Sequence, residues 1–222
     1  MNTPIARARG ERLFYFSAEK VAYWFFRLNG CLSLENFLAH HEIAARGNGT
    51  EVDLLAARFP HRQELMLSGE AMPDHKYFGN DKIEIIFAEV KSKQSCSIND
   101  SWLNPDNRNM ERMLYVIGAI PPNETDKAAQ SLYKEHSYEN SMCRIRQFAI
   151  GSELNTDLPE NIVQLTWPDA LSFIHHRFTK YEKYKRQHSQ WDYVGQELIN
   201  RALIYREDPK DFIAYVISNL VN

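Results

Sequence analysis

Two stretches of sequence, EVDLLAA at residues 51–57 and IEIIFAEVK at residues 83–91, decide the fold of this chain. Both are dense in aliphatic residues over the length of one strand, a pattern that predicts buried β-strands. Their charged residues are unusual in such a setting, because a buried charge is costly unless it is paired or bound to a metal. The two strands therefore predict both a sheet and a functional site that uses its charged residues.

The spacing of the charges in the second strand indicates the chemistry. Side chains alternate across a strand, so Glu89 and Lys91 project from one face while Val90 points to the other. If the two strands form an antiparallel hairpin, Asp53 in the first lies within reach of Glu89. Two carboxylates supply the hard oxygen ligands that Mg²⁺ requires, and an ammonium group at Lys91 can orient water or stabilise charge on phosphorus. This set predicts metal-assisted hydrolysis of a phosphodiester.

The rest of the chain alternates helical and strand patterns. Helices are predicted at residues 17–29, 110–120 and 168–185, with two more between 191 and 221, and strands at 31–39, 143–150 and 162–167. Residues 59–82 are turn-rich and predict a long connection between the two charged strands. The order predicts an α/β core at residues 1–167, followed by a helical C-terminal extension at residues 168–222 packed on it.

At this point the residues resemble a known family. GTEVDLLA followed by IIFAEVKSK, with the preceding helix and strand, resembles the PD-(D/E)xK nuclease superfamily, and its Holliday-junction-resolvase-like members in particular. The resemblance covers roughly Ser17 to Lys93. It implies a restriction-endonuclease-like fold, in which a mixed central sheet is flanked by helices. Val52 stands where the superfamily carries a proline, a change that its members often show.

The resemblance also implies roles for particular residues. Asp53 and Glu89 would bind the metal, Mg²⁺ or Mn²⁺. Lys91 would be catalytic, and Glu19 would be the auxiliary acid of the helix. The substrate would be DNA, cut endonucleolytically in repair, recombination or defence against foreign DNA. Many enzymes of this class act as dimers to cut two strands, and a homodimer stays open here.

Each candidate also has a simpler interpretation. Glu89 and Lys91 can be an ion pair at a strand edge, which stabilises little. Glu19 suits the first turn of any helix, where the helix dipole favours an acid. Glu51 shares a face with Asp53 and is either an outer ligand or, as we expect, a solvated charge. The alternative function is a non-catalytic protein of the same fold that binds nucleic acid or a partner protein.

A second candidate surface is basic. The segment RFTKYEKYKR at residues 177–186 interleaves tyrosines with four candidate nucleic-acid-binding residues: Lys180, Lys183, Lys185 and Arg186. This composition suits contact with a phosphate backbone. It suits equally a solvated helix face whose tyrosines pack inward. Arg144 and Arg146, which share one strand face, are a further candidate phosphate contact.

Histidine and tryptophan residues give weaker signals. The pairs His40–His41 and His175–His176 predict surface or core positions rather than metal ligands, because adjacent side chains diverge and no HExxH spacing follows. We expect three tryptophans to pack in the core: Trp102, Trp167 and Trp191.

Composition limits the class of protein. The formal net charge of −3 over 222 residues excludes a dedicated basic DNA-coating protein, so any contact with DNA needs a local patch. Three widely spaced cysteines provide neither a disulfide framework nor a CxxC zinc motif, and no apolar run reaches the length of a membrane span. The sequence therefore predicts a soluble cytoplasmic enzyme.

Overall fold

The computed structural model describes residues 13–40, 50–65, 72–79, 81–186 and 191–221, and in these ranges the chain is mixed α/β. The strands are β1 (Phe16–Ser17), β2 (Leu32–Ala39), β3 (Thr50–Arg58), β4 (Ile83–Val90), β5 (Ser137–Glu139), β6 (Cys143–Gly151), β7 (Val163–Thr166) and β8 (Leu220–Val221). The helices are α1 (Ala18–Leu28), α2 (Asn109–Ile117), α3 (Thr125–Glu135), α4 (Trp167–Lys180), α5 (Glu182–Lys185), α6 (Tyr193–Ile204) and α7 (Pro209–Ser218). The prediction of a mixed α/β protein is confirmed.

The central sheet is mixed, with strand order β2-β3-β4-β6-β5, and β7 also pairs with β6. Strand β3 pairs antiparallel with both β2 and β4, whereas β4 and β6 pair in parallel. A parallel connection needs a crossover, and α2 and α3 lie in the segment that makes it. The predicted antiparallel pairing of the two charged strands is therefore confirmed. A separate parallel pair joins β1 to β8.

Helix α1 follows directly from its sequence. Ser17 caps its N-terminus by accepting a hydrogen bond from the backbone N–H of Lys20, at 3.2 Å. Its apolar residues recur at helical spacing, and Trp24 and Phe25 on that face are fully buried. The helix ends at Asn29, before Gly30 takes a positive φ of 77°. These bounds confirm the helix predicted at residues 17–29.

The centre of the sheet is buried on both faces, whereas Leu32 and Leu34 of the edge strand β2 are exposed. On one face, Ile86 and Phe148 belong to a hydrophobic cluster that also contains residues of α1, α4, α6 and α7. On the other face, Phe87 and Ile145 pack in a cluster with residues of α2 and α3. The first cluster extends across residue 167 into the C-terminal helices, which therefore share a core with the sheet. The domain boundary predicted at that residue stays a prediction.

Several elements differ from the sequence prediction. Strand β6 was expected to be half exposed, yet Gln147 is only 2% exposed, because β6 lies inside the sheet with helices over both faces. Helix α2 ends at Ile117 rather than at residue 120, because Gly118 adopts a φ of 65°. The helix predicted at 168–185 is broken at Tyr181. Helix α3 and strand β5 carry too weak a pattern to be predicted.

The long connection after β3 contains no helix or strand in its described residues, 59–65, 72–79 and 81–82. Asp74 holds it against the body of the protein through ion pairs with Arg58 and with Arg177 at 3.3 Å, and it also pairs with Arg62 of the connection at 2.9 Å. The turn predicted at residues 47–49 lies outside the described residues, as does His41. None of the helices in the described part of the chain is long and apolar enough to cross a membrane. All three cysteines are buried as free thiols.

Candidate active site

The candidate site lies where β3 and β4 separate. The backbone pairing of the two strands extends from Arg58 opposite Glu84 to Leu54 opposite Ala88 and then stops. The next position would place Asp53 opposite Glu89. Instead, Asp53 Oδ2 accepts the backbone N–H of Val90 at 2.7 Å, so a carboxylate takes the place of a backbone acceptor. This bond fixes Asp53 beside Glu89, in agreement with the sequence prediction that the two residues are close.

A distortion in the neighbouring strand accompanies this separation. Strand β2 pairs with β3 on both sides of Asn36, at Glu35–Leu54 and at Phe37–Val52. Asn36 itself has a φ of 49°, in the left-handed region that asparagine tolerates better than most residues. The backbone therefore departs from regular strand geometry at the point opposite Asp53. Nothing in the residue pattern of β2 predicted this departure.

Glu89 is the most deeply buried acid of the site, at 3% exposed. Its Oε1 accepts the indole N–H of Trp102 at 2.8 Å, and its Oε2 lies 3.4 Å from Lys91 Nζ. Burial raises the pKa of Glu89 to about 7, and the nearby charge of Asp53 adds to the rise. The folded chain therefore holds a carboxylate that would be stabilised by a further positive charge.

Asp53 is half-buried and shows the same tendency. Burial raises its pKa, while the Val90 N–H and the charge of Lys91 act in the opposite direction. Glu19 contributes a smaller increase in the pKa of Asp53, so its charge acts on this site from the first turn of α1. Glu19 Oε2 accepts the hydroxyl of Ser17 at 2.7 Å, and its auxiliary role stays a prediction. Glu51 is exposed, as expected for a solvated charge.

Lys91 is anchored at both its backbone and its side chain. Its backbone N–H donates to Ile150 O at 2.9 Å, and its carbonyl accepts the indole N–H of Trp167 at 3.0 Å. Its ammonium donates to Asn99 Oδ1 at 3.0 Å in addition to its contact with Glu89. The ammonium is therefore held next to the two carboxylates, where it can act on a group bound between them.

The chemistry of these donors suits a divalent cation, although the acidic cluster is small. No group of three or more His, Cys, Asp or Glu side chains suited to a metal ion occurs among the described residues. Two carboxylates with raised pKa values, both facing like charge, fit a hard cation that would relieve their repulsion. The remaining ligands would be water molecules, several of which Mg²⁺ usually keeps, and an oxygen of the substrate phosphate.

The basic residues of α4 and α5 do not form one surface. Lys180, Lys183 and Arg186 are exposed, and Arg186 pairs with Glu182 at 2.7 Å. Lys185 departs from the prediction, since it is only 9% exposed and forms an ion pair with Glu64. The helix break after α4 turns it inward, and burial lowers its pKa to about 8. Lys185 is therefore a structural cation rather than an exposed phosphate contact.

Arg144 and Arg146 lie at the other end of the sheet from Glu89. Arg146 pairs with the buried Glu84 at 2.7 Å, and Arg144 lies 3.7 Å from Glu139. These two arginines and their two glutamate partners line a pocket of about 450 Å³. Glu84 and Glu89 are five residues apart on one strand, or roughly 17 Å. These arginines are therefore paired locally and lie apart from the candidate site.

The histidine and tryptophan expectations agree with the structure where it describes them. His175 is buried, with Nε2 3.0 Å from the Tyr205 carbonyl, while its neighbour His176 and also His40 are exposed. Trp102 and Trp167 are buried in the core, and Trp191 is partly buried and packs against the first hydrophobic cluster.

Sequence reasoning missed two features of the site. It did not identify Asn99, and it predicted Trp102 only as a core residue and not as a hydrogen-bond donor to Glu89. Both come from the loop after β4, which the sequence describes only as polar. The one available signal is a lone tryptophan in that polar segment, since an indole in a loop often has a partner for its N–H. The contacts that join this loop to Glu89 and Lys91 are tertiary, and no local pattern encodes them.

Comparison with known proteins adds no assignment: the chain matches no protein-family model, no curated protein and no solved structure at a significant level.

Proposed function

We propose that this protein is a divalent-metal-dependent nuclease that hydrolyses phosphodiester bonds in DNA. The observation that carries the proposal is the meeting of Asp53, Glu89 and Lys91 where two antiparallel strands separate. Two carboxylates and one ammonium side by side, with one acid almost fully buried, suit phosphodiester chemistry better than an ordinary surface ion pair. The same arrangement supports the proposed restriction-endonuclease-like fold.

In this proposal Asp53 and Glu89 hold Mg²⁺ or Mn²⁺. The bound metal would polarise the phosphodiester and lower the pKa of a water molecule. Val90 keeps Asp53 oriented by its backbone N–H, which leaves Oδ1 of Asp53 without a hydrogen bond among the described residues. Burial of Glu89 keeps the site at low local dielectric, where charge interactions are stronger.

Lys91 acts on the phosphate. Its ammonium either orients the attacking water or stabilises the negative charge that develops on the phosphoryl oxygens. Its position next to both carboxylates places the positive charge where that negative charge would form. Glu19, whose charge acts on Asp53, would be the auxiliary acid. Lys180, Lys183 and Arg186, which are exposed, would each contact the phosphate backbone separately.

The test is cleavage of supercoiled plasmid and branched DNA by the purified chain with Mg²⁺ or Mn²⁺. Glu89→Ala and Lys91→Ala should abolish cleavage while the circular-dichroism spectrum stays unchanged. Lys93→Ala is the matched control for Lys91→Ala, since its side chain is exposed and close in sequence to the site. Unchanged cleavage in both site variants would refute the assignment.

Calorimetric titration with Mg²⁺ or Mn²⁺ separates the enzyme from the alternative function. Binding that disappears in Asp53→Asn and Glu89→Gln supports the metal site. The absence of carboxylate-dependent binding would favour a non-catalytic protein of this fold that binds nucleic acid or a partner protein.

A further inference from the structure

We propose that the loop after β4 provides two positioning residues for this site: Trp102 orients Glu89, and Asn99 orients Lys91. The inference rests on the proposed nuclease function and deepens it. It assigns separate tasks to two residues of one loop, one for the metal-binding acid and one for the ammonium.

Trp102 orients the carboxylate of Glu89. An indole N–H can only donate, so its 2.8 Å bond to Oε1 requires an acceptor at that place and fixes the rotation of the carboxylate. The ring itself is held firmly, since Trp102 is 2% exposed and stacks on Phe87 with an interplanar angle of 28°. A rigid donor on a rigid ring therefore fixes the plane of the Glu89 carboxylate, with its second oxygen towards Lys91.

Asn99 orients the ammonium of Lys91. A lysine side chain has four rotatable bonds, and a single contact of 3.4 Å with Glu89 does not hold it in one place. The amide oxygen of Asn99 adds a shorter bond, at 3.0 Å. Because the amide is neutral, it directs the ammonium without neutralising the positive charge that a phosphate would meet.

The loop that carries both residues is itself fastened to the sheet. Its start is bound to the segment after β6, with Cys96 N–H donating to Glu153 O at 2.9 Å and Ser152 N–H donating to Gln94 O at 2.7 Å. Its approach to β6 is so close that a Cβ on Gly151 would stand 2.6 Å from the Cys96 nitrogen. Only glycine fits there without moving the loop.

The other end of the loop is tied back to the acidic strand. Asn109 Nδ2 donates to Ser101 O at 2.7 Å, and the same side chain accepts the Thr50 hydroxyl at 2.7 Å. Thr50 is the first residue of β3, three positions before Asp53. The loop is therefore braced against the end of β6 and against β3, which is the support that precise placement of reacting groups requires.

Two variants test the two tasks separately. Trp102→Phe keeps an aromatic ring but removes the N–H, and it should weaken Mn²⁺ binding about tenfold, as loss of a ligand's hydrogen-bond partner typically does. Asn99→Leu keeps the size but removes the acceptor, and it should lower kcat by about 10-fold or more while Mn²⁺ affinity and KM stay at the wild-type values. Mn²⁺ affinity is measured by calorimetry without DNA, and kcat and KM by cleavage at saturating metal.

Two control variants monitor general damage. Trp191→Phe removes an indole N–H from a ring that packs on Trp24, with ring centroids 4.7 Å apart. Asn104→Leu alters the same loop, where Asn104 caps the N–H of Asp106. Both should bind Mn²⁺ and cleave as the wild type does.

The outcomes separate this inference from the proposed function. If the wild type binds Mn²⁺ and cleaves DNA while Trp102→Phe and Asn99→Leu are equal to it, the positioning roles are refuted and the nuclease stands. A wild type that neither binds Mn²⁺ nor cleaves DNA refutes both. If each variant loses metal affinity, kcat and melting temperature together, the loop acts only through stability, and the inference is overturned.

Discussion

Glu89→Gln should stabilise the protein at alkaline pH, because the wild type holds a buried carboxylate there at a cost. The pKa of Glu89 rises from 4.5 to about 7 in the folded chain. The folded state therefore keeps the proton over a pH range in which the unfolded chain has released it. By linkage the free energy of unfolding falls as the pH rises from 4.5 to 7, by roughly 3 kcal/mol at about 1.4 kcal/mol per unit.

A glutamine removes that titration while it keeps an oxygen that can accept the Trp102 N–H. In the presence of a chelator, Glu89→Gln should be more stable than the wild type by roughly 3 kcal/mol at pH 8, and the difference should disappear near pH 4.5. The repulsion from Asp53 and the opposing attraction of Lys91 both act on the pKa of Glu89, so this figure already includes them.

Urea denaturation at pH 4.5, 6 and 8 measures the difference directly. Lys93→Gln is the matched control, because its side chain is exposed beside the site and its substitution should change stability little. A difference between Glu89→Gln and the wild type that stays constant across this range would show that Glu89 titrates normally. The reasoning about its burial would then be wrong. Loss of cleavage accompanied by a gain in stability would mark Glu89 as a residue retained for function.

Three further predictions follow from other parts of the structure. Saturating Mn²⁺ should raise the wild-type melting temperature at pH 8, since a ligand at 100 times its Kd adds about 2.7 kcal/mol to the free energy of unfolding. An equal rise in the melting temperature of Asp53→Asn would contradict the metal site. Gly195→Ala should destabilise the chain by about 1–3 kcal/mol in urea denaturation, because the new methyl group would stand 1.9 Å from the buried ring of Trp24. A stabilised variant would refute that packing. Lys180→Ala should weaken DNA binding and reduce its salt dependence, whereas Lys185→Ala should mainly lower the free energy of unfolding. The reverse result would contradict the assignment of Lys180 to DNA contact and of Lys185 to the core.

Much of the fold could be predicted because its signals are local. Helix α1 contains its own cap and apolar face, and β4 is apolar except for Glu84 and Glu89. The alternation of side chains in β4 also placed Glu89 and Lys91 on one face before any tertiary information was considered. Where the local signal was weak, as in α3, or where glycine stopped a helix early, as at Gly118, the prediction failed.

Only the tertiary structure decided how the charged residues are used. Lys180 and Lys185 look equivalent in sequence, yet Lys180 is exposed and Lys185 is buried against Glu64, because the break between α4 and α5 turns the chain. The ends of β3 and β4 likewise separate for a reason that no residue pattern displays: the Asp53 carboxylate takes the Val90 N–H.

The sequence by itself determined the two charged strands, β3 and β4, and the acids they carry, because propensity and alternation depend on near neighbours in the chain. The tertiary structure alone decided the partners of those acids. Trp102 and Asn99 reach Glu89 and Lys91 only after the loop has folded back over β4. Burial then raises the pKa of Glu89, and burial is a property of the whole folded chain.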